Sequence, residues 1–456
     1  MSFRPLVGTG PQRLSGAMTS HQQPAAAHQS STPSSRRHTS GWVRIAALSS
    51  GVAAGLASVV GAGLIAVPAA VLHETGSGAV LTWLVAALAC LPMIMLFRDT
   101  VVGSARSADP LRATIRAGLG HRAAAMVPLM FTMVVVVGLP SGAVMAARNL
   151  TAIVRAPVPE IALAALLLGV AVAINLRGRT LGSAVERSGA VVLVAALIGV
   201  VTWSLLHPTR SPDVLPDGPA LALVPAGALI AFWAFIGFEN LTFLARELPD
   251  PRRDFAPVAM TTLALLLVLV LALTLAVVVQ TAQADPVTGV VDAVRSTPWG
   301  GTVAGVLAAS GLLGMALNAV AWTRGVGSVI SAAAADGILP RAFAAAPDAA
   351  PRRAVLLLST GFTVSLTILL VRPDLVVDML GAASGVFVLI YIMCIVAYVR
   401  TVGLRVWSVA NLLLVPLMAW TLISSGSRAI FPVAVLLVAA VVAVVRTRTG
   451  SLADDR

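Results

Sequence analysis

Apolar residues run along this chain in long blocks, not at the alternating or one-face spacings of a water-soluble domain. Stretches of about 18–25 mostly apolar residues recur to its end, and a helix of that length crosses the hydrocarbon core of a bilayer. Twelve transmembrane helices are predicted, at about 43–72, 78–97, 124–147, 160–176, 188–206, 221–245, 256–280, 300–333, 354–371, 376–399, 404–424 and 429–446. Residues 1–41 are rich in Ser, Pro, Gln, Ala and Arg and carry no apolar run, so they read as a disordered cytoplasmic tail. They lack the short apolar core and cleavage site of a signal peptide. Residues 42–446 form the membrane domain, and 447–456 a second cytoplasmic tail.

Arginine placement tests this division. With the N-terminus in the cytoplasm and twelve spans, 24 arginines fall on the cytoplasmic side. Six fall outside: Arg148, Arg155, Arg210, Arg295, Arg372 and Arg428. Arg324 lies within a span, where a structural role with its head reaching water is expected. The bias obeys the positive-inside rule and puts both termini in the cytoplasm. Trp42, Trp83, Trp203, Trp299, Trp407 and Trp420 fall near span ends, where indoles favour the interface, whereas Trp233 and Trp322 lie deep inside. His73 and Glu74 close the first span on the outer side and are expected to face water.

Composition narrows the function. The chain is 58% hydrophobic and 11% charged, with a mean hydropathy of +0.93, which excludes a soluble enzyme or a nucleic-acid-binding domain. The net charge of +12 comes from 31 arginines and no lysine, scattered without forming a patch. The missing lysine excludes a Walker A loop, a pyridoxal Schiff base and a lysine proton carrier. Cys90 and Cys394 sit in apolar runs, and the six histidines form no cluster with ligand spacing, so no metal site and no cofactor are expected.

Two spans carry breaks. The first reads Ser58-Val59-Val60-Gly61-Ala62-Gly63-Leu64-Ile65-Ala66-Val67-Pro68, and the sixth Ala231-Phe232-Trp233-Ala234-Phe235-Ile236-Gly237-Phe238-Glu239-Asn240. Glycine and proline weaken a helix, and unwound backbone at membrane depth survives only against protein or a cavity. Free N–H groups opening the second half-helix of span one would suit a carboxylate. Free carbonyls in span six would suit an ammonium group. Breaks at matching positions five spans apart point to an inverted-repeat transporter; close helix packing through small residues is the alternative. Glu239 is the one carboxylate deep in a span, which makes it a candidate proton carrier or, alternatively, a protonated bridge between helices.

The stretch Trp233-Ala-Phe-Ile-Gly-Phe-Glu239, with Glu247-Leu-Pro-Asp-Pro-Arg-Arg-Asp254 after it, resembles the sixth helix and following loop of the amino acid–polyamine–organocation transporters. Gly61-Ala-Gly63 with Pro68 resembles their first helix, and Trp322-Thr323 with Ala334-Ala-Asp-Gly-Ile-Leu-Pro-Arg341 resembles their eighth helix and its exit. Val137-Gly138-Leu139-Pro140, Phe232-Trp233 and Ala383-Ser384-Gly385-Val386-Phe387 through Tyr391 and Cys394 are similar to bacterial exporters of methionine and branched-chain amino acids. The resemblance implies an all-α integral membrane protein of twelve transmembrane helices. These would form a five-plus-five inverted repeat of leucine-transporter type, at 42–206 and 221–399, with two accessory helices at 404–446. It implies a substrate carboxylate on the N–H groups of Gly61, Ala62 and Gly63, and an ammonium on carbonyls of Val59, Trp233 and Ile236, beside Gly237. Trp233 would be an aromatic gate, Trp322 would border the side-chain pocket, and Glu239 would couple or gate. Some proton-coupled relatives place a lysine in the fifth helix; here that position is near Val194, so any proton coupling would run through Glu239 or another route.

If span three faces the site, it offers Val136, Val137, Leu139, Pro140 and Met145, and span six adds Phe232, Phe235 and Phe238. An apolar pocket of this kind favours methionine, leucine, isoleucine, valine or phenylalanine. The expected function is secondary transport of neutral amino acids in a bacterial inner membrane, by efflux on the resemblance, with uptake or exchange as alternatives. The only partners expected are the substrate and the lipid bilayer, with no nucleic acid, and the oligomeric state is left open. A membrane enzyme would need clustered catalytic groups that the short loops lack, and a channel would need a continuous polar lining.

Overall fold

The computed structural model describes residues 48–53, 55, 56, 63–103, 110–154, 158–178, 183–212, 215–237, 248, 250–281, 284–295, 300–346 and 349–448. The expected tail at 1–41 and all but the first two residues of that at 447–456 lie outside these, as do Val59, Gly61, Ala62 and Glu239. All regular structure among the described residues is helical. The helices, in chain order, are α1 (Gly63–Thr75), α2 (Ala79–Gly103), α3 (Pro110–Val154), α4 (Glu160–Leu176), α5 (Ser183–Leu206) and α6 (Gly218–Phe232). They continue with α7 (Pro251–Val278), α8 (Gly289–Arg295), α9 (Gly300–Ala335), α10 (Arg352–Val371), α11 (Val376–Val402), α12 (Val406–Ser424) and α13 (Ile430–Arg448). Nine stretches among the described residues are long and apolar enough to cross a bilayer; one of them, Leu64–Val102, holds both α1 and α2. The apolar helix α4 and the Val191–Leu206 part of α5 are shorter.

Helix α3 is the hub. α11 packs along it, and α9, α13, α4 and α10 pack around it, while α2 pairs with α7 and with α6. The helix is longer than its apolar run predicts, because a polar segment carrying Arg112 and Arg116 precedes a break at Gly120 (φ 83°). Hydropathy does not see that segment. It sees α8 no better, since its seven residues contain Asp292 and Arg295.

Two expectations about side chains are corrected. Trp83 lies near the start of α2 but does not point into lipid: it is fully buried, and its Nε1–H donates to Thr274 Oγ1 at 2.9 Å. Glu74 does not simply face water. Arg428, in the turn before α13, donates to both Glu74 oxygens (2.9 and 3.0 Å) and, through Nε, to Asp378 at 2.7 Å. This triad joins the end of α1, the start of α11 and the α12–α13 turn. The Arg428 side chain is only 15% exposed, whereas both partners of the Arg372–Asp374 pair are more than half exposed.

Removing one member of a partly buried ion network strands the others, while an exposed pair contributes little. R428A is therefore expected to lower stability by on the order of 2 kcal/mol. Its thermal midpoint in detergent should fall by several degrees, and that of R372A should stay close to wild type. Equal shifts in the two variants would contradict the latch.

Candidate functional site

The sixth helix breaks where its sequence predicts. Asp217 caps α6, accepting from the Ala220 N–H at 2.8 Å, and every residue from Val224 to Phe232 is buried. The helix stops at Phe232, and Trp233–Phe235 form a single 3-10 turn that the Ile236 N–H closes onto the Trp233 carbonyl at 3.2 Å. Ile236 is extended (φ −68°, ψ 129°) and Gly237 takes φ 121°, a region that side-chain-bearing residues avoid. The chain leaves the helical conformation at Ile236, while the Trp233 N–H still reaches the Ile230 and Ala231 carbonyls.

The described part of helix α1 runs from Gly63 to Thr75. It packs against α6 and against the 3-10 turn that ends it, and Ile65 fills the space above Gly311 of α9. The structure thus places α1 beside the Trp233–Phe235 turn that ends α6. The predicted roles of Val59, Gly61, Ala62, Phe238 and Glu239 lie outside the described residues.

Aromatic rings fix the break from two sides. Phe235 meets the buried Trp83 edge-on, with centroids 6.0 Å apart. On the other side Phe232 meets Tyr391 of α11 edge-on at 5.7 Å. Tyr391 lies 5.9 Å from Phe97 of α2 and 5.9 Å from Phe387. Phe387 in turn contacts Phe131 of α3 at 5.4 Å and Trp322 of α9 at 5.9 Å. Phe232, the last residue of α6, is therefore linked to Trp322 through Tyr391 and Phe387. Edge-to-face pairs of this kind each add about 0.5–1.5 kcal/mol beyond their area burial.

Span three faces the site in part. Val137, Leu139 and Met145 are buried. Val136 instead packs on Gly361 of α10, where a Cβ on Gly361 would meet Val136 Cγ1 at 2.7 Å. Trp233 lies against Gly138.

One residue was missed. Asp254 at the start of α7 is 1% exposed and accepts from the Asp250 N–H at 3.2 Å. The loop sequence Asp250-Pro-Arg-Arg-Asp254 carried the signal, a capping acid at the head of an apolar helix. Arg324 sits within α9, partly buried.

Comparisons with known proteins place the chain in a family. Over 210 residues the chain is 27% identical to the L-methionine/branched-chain amino acid exporter YjeH of Escherichia coli, covering 46% of this chain and 50% of that protein. Over 207 residues it is 24% identical to the uncharacterized amino acid permease YecA of Bacillus subtilis, covering 45% and 48%. The matched part of the chain thus spans about half the length of these curated relatives. Among solved structures, the Eremococcus coleocola manganese transporter in complex with an aromatic bis-isothiourea substituted compound superposes with a TM-score of 0.61 at 14% identity, covering 90% of this chain and 96% of that one. That likeness shows a shared transporter fold and nothing about cargo. The family model described as amino acid permease matches residues 41–453. The chain is a multi-pass membrane protein that belongs to the amino acid permease family, within the amino acid–polyamine–organocation superfamily, whose members are transporters and not enzymes.

Proposed function

We propose that this protein is a secondary transporter of neutral, mainly aliphatic amino acids (methionine, leucine, isoleucine and valine), working by alternating access in the direction of efflux. The observation that carries the reading is the end of α6 in the Trp233–Phe235 turn, with Gly237 at positive φ, packed beside α1. Dipoles at the two helix ends are suited to the two charges of a zwitterion. The carboxylate sits on N–H groups of Gly61, Ala62 and Gly63, and the ammonium on carbonyls of Val59, Trp233 and Ile236. Trp233 covers the substrate, and Trp322 borders the side-chain pocket.

The apolar surroundings favour a group of similar substrates, because one methylene is worth only about 1–3 kcal/mol in such a pocket. The efflux direction rests on the similarity to the methionine and branched-chain exporter. The similarity to a permease keeps uptake or exchange as a second reading. The architecture proposed is twelve spans, with five-plus-five inverted repeats and two accessory helices. The arginine bias supports both termini in the cytoplasm of a bacterial inner-membrane protein. Glu239 is proposed as the coupling or gating carboxylate, with protons as the coupling ion and no cofactor.

Counterflow in proteoliposomes tests the function. Labelled leucine or methionine should accumulate saturably against unlabelled substrate, and absence of counterflow with every neutral amino acid would sink the proposal. For coupling, E239Q should flatten the pH dependence of transport while folding normally; an unchanged pH profile removes Glu239 from that role. A branched side chain at the head of α1 should block approach to its N–H groups, so G63V is expected to weaken substrate binding at least tenfold, by about 1.4 kcal/mol or more. Normal affinity in G63V, measured by ligand-induced thermal shift, would contradict the carboxylate assignment.

A further inference from the structure

Trp233 does not rest on a flat wall. The outer edge of its indole occupies the place that a side chain on Gly138 of α3 would take. A Cβ built there would meet Cζ3 at 2.7 Å and would lie closer still to Cη2, with the Ala383 Cβ of α11 at 3.4 Å. The missing side chain at 138 and the small one at 383 form a notch between α3 and α11. Gly138 lies within a helical run and has no positive φ, so its backbone has no conformational need for glycine. Glycine there costs about 1 kcal/mol relative to alanine, and space is what it supplies in return.

The wall behind the notch is held in place. Pro140 has no N–H, so the Val136 carbonyl one turn earlier lacks its helical donor. Ser365 of α10 supplies the missing bond, its Oγ–H donating to Val136 O at 2.8 Å. Val136 also packs on Gly361 of the same helix. With α3 pinned from behind, a new methyl at 138 displaces the indole more readily than the helix. The indole remains half-buried, whereas Phe232 and Ala234 beside it are 6% and 2% exposed, so part of the ring surface is free to cover something else.

We propose that Gly138 is the positioning residue for the Trp233 gate, and that the depth of this notch sets how closely the indole covers the amino acid. The role of Trp233 over substrate rests on the functional reading above; the seating of the ring in the notch does not. Gly138 acts through Trp233 and touches no substrate itself.

The test is a double-mutant cycle with G138A and W233F, because phenylalanine lacks the outer indole atoms that reach residue 138. KM and turnover for leucine are read in proteoliposomes, and thermal midpoints are read in detergent. In the Trp233 background G138A should raise KM on the order of tenfold, as overpacking of one methyl does, with a smaller change in turnover. W233F weakens binding by itself, so the effect of G138A is taken as a ratio within each background. In the W233F background that ratio should fall to under about twofold, and the loss of thermal stability should shrink in parallel. An equal ratio in both backgrounds, or no effect of G138A, overturns the proposal. If G138A alone fails to fold, folding of the double variant supports the proposal, and its failure counts against it. If wild type moves no neutral amino acid, the functional reading falls, and the thermal cycle still decides whether Gly138 seats Trp233.

Discussion

A peptide group in hydrocarbon must find its hydrogen-bond partner inside the protein. That constraint orders much of this structure. Helix α6 can stop at Phe232 because the 3-10 turn that follows is packed against α1 and against the Trp83 ring. Helix α3 can carry Pro140 because Ser365 repairs the carbonyl that the proline leaves open. The same rule explains three buried asparagines. Asn149, Asn175 and Asn411 each donate to the carbonyl four residues back in their own helix. Each also donates to a neighbouring element, at Val287, Val320 and Pro92 respectively. An amide N–H pair is thereby spent on two main-chain acceptors, and two elements are tied together at each place.

Such ties make an unwound segment tolerable. A break in one helix costs its hydrogen bonds, and rigid neighbours prevent that cost from spreading. The Trp83–Thr274 bond and the Trp83–Phe235 contact hold one side of the break, and the Phe232–Tyr391–Phe387–Trp322 chain holds the other. Trp233 is then the ring at the break that leaves one surface uncovered, seated by α3 and α11.

The spans were legible because membrane helices are written as uninterrupted apolar runs, and a run needs no partner to be recognised. The break in α6 was legible for a related reason, since Gly237 in an apolar span has a local conformational meaning. Contacts between distant residues were not. Nothing near Glu74 announces Arg428, 354 positions away, so Glu74 read as a solvated end. Trp83 read as interfacial from its position near a span end, whereas its burial depends on where α7 places Thr274. Gly138 stood within a stretch that resembles the exporters, yet its role is visible only once α6 delivers the indole. Hydropathy also passed over the head of α3 and all of α8, whose charged residues hide helices from an apolar window.

The outer arginines show how charge placement and architecture interlock. On the face expected outside, Arg148 pairs with Glu160, Arg372 with Asp374, and Arg428 with Glu74 and Asp378, while Arg210 and Arg295 donate to the carbonyls of Thr281 and Ala152. Three of these five cations meet a carboxylate, so the outer face is less positive than its arginine count suggests. Three of the described exceptions to the positive-inside bias are thus neutralised, and two of those three are also cross-links between helices. Arg148 fastens α3 to α4, and Arg428 fastens α1 to α11 and to the turn before α13. A transport cycle that moves α1 against α11 must stretch or open the Arg428 triad. A cycle that carries the two ends together keeps it closed and shifts the motion to the α6 break, where Gly237 already supplies the freedom to bend.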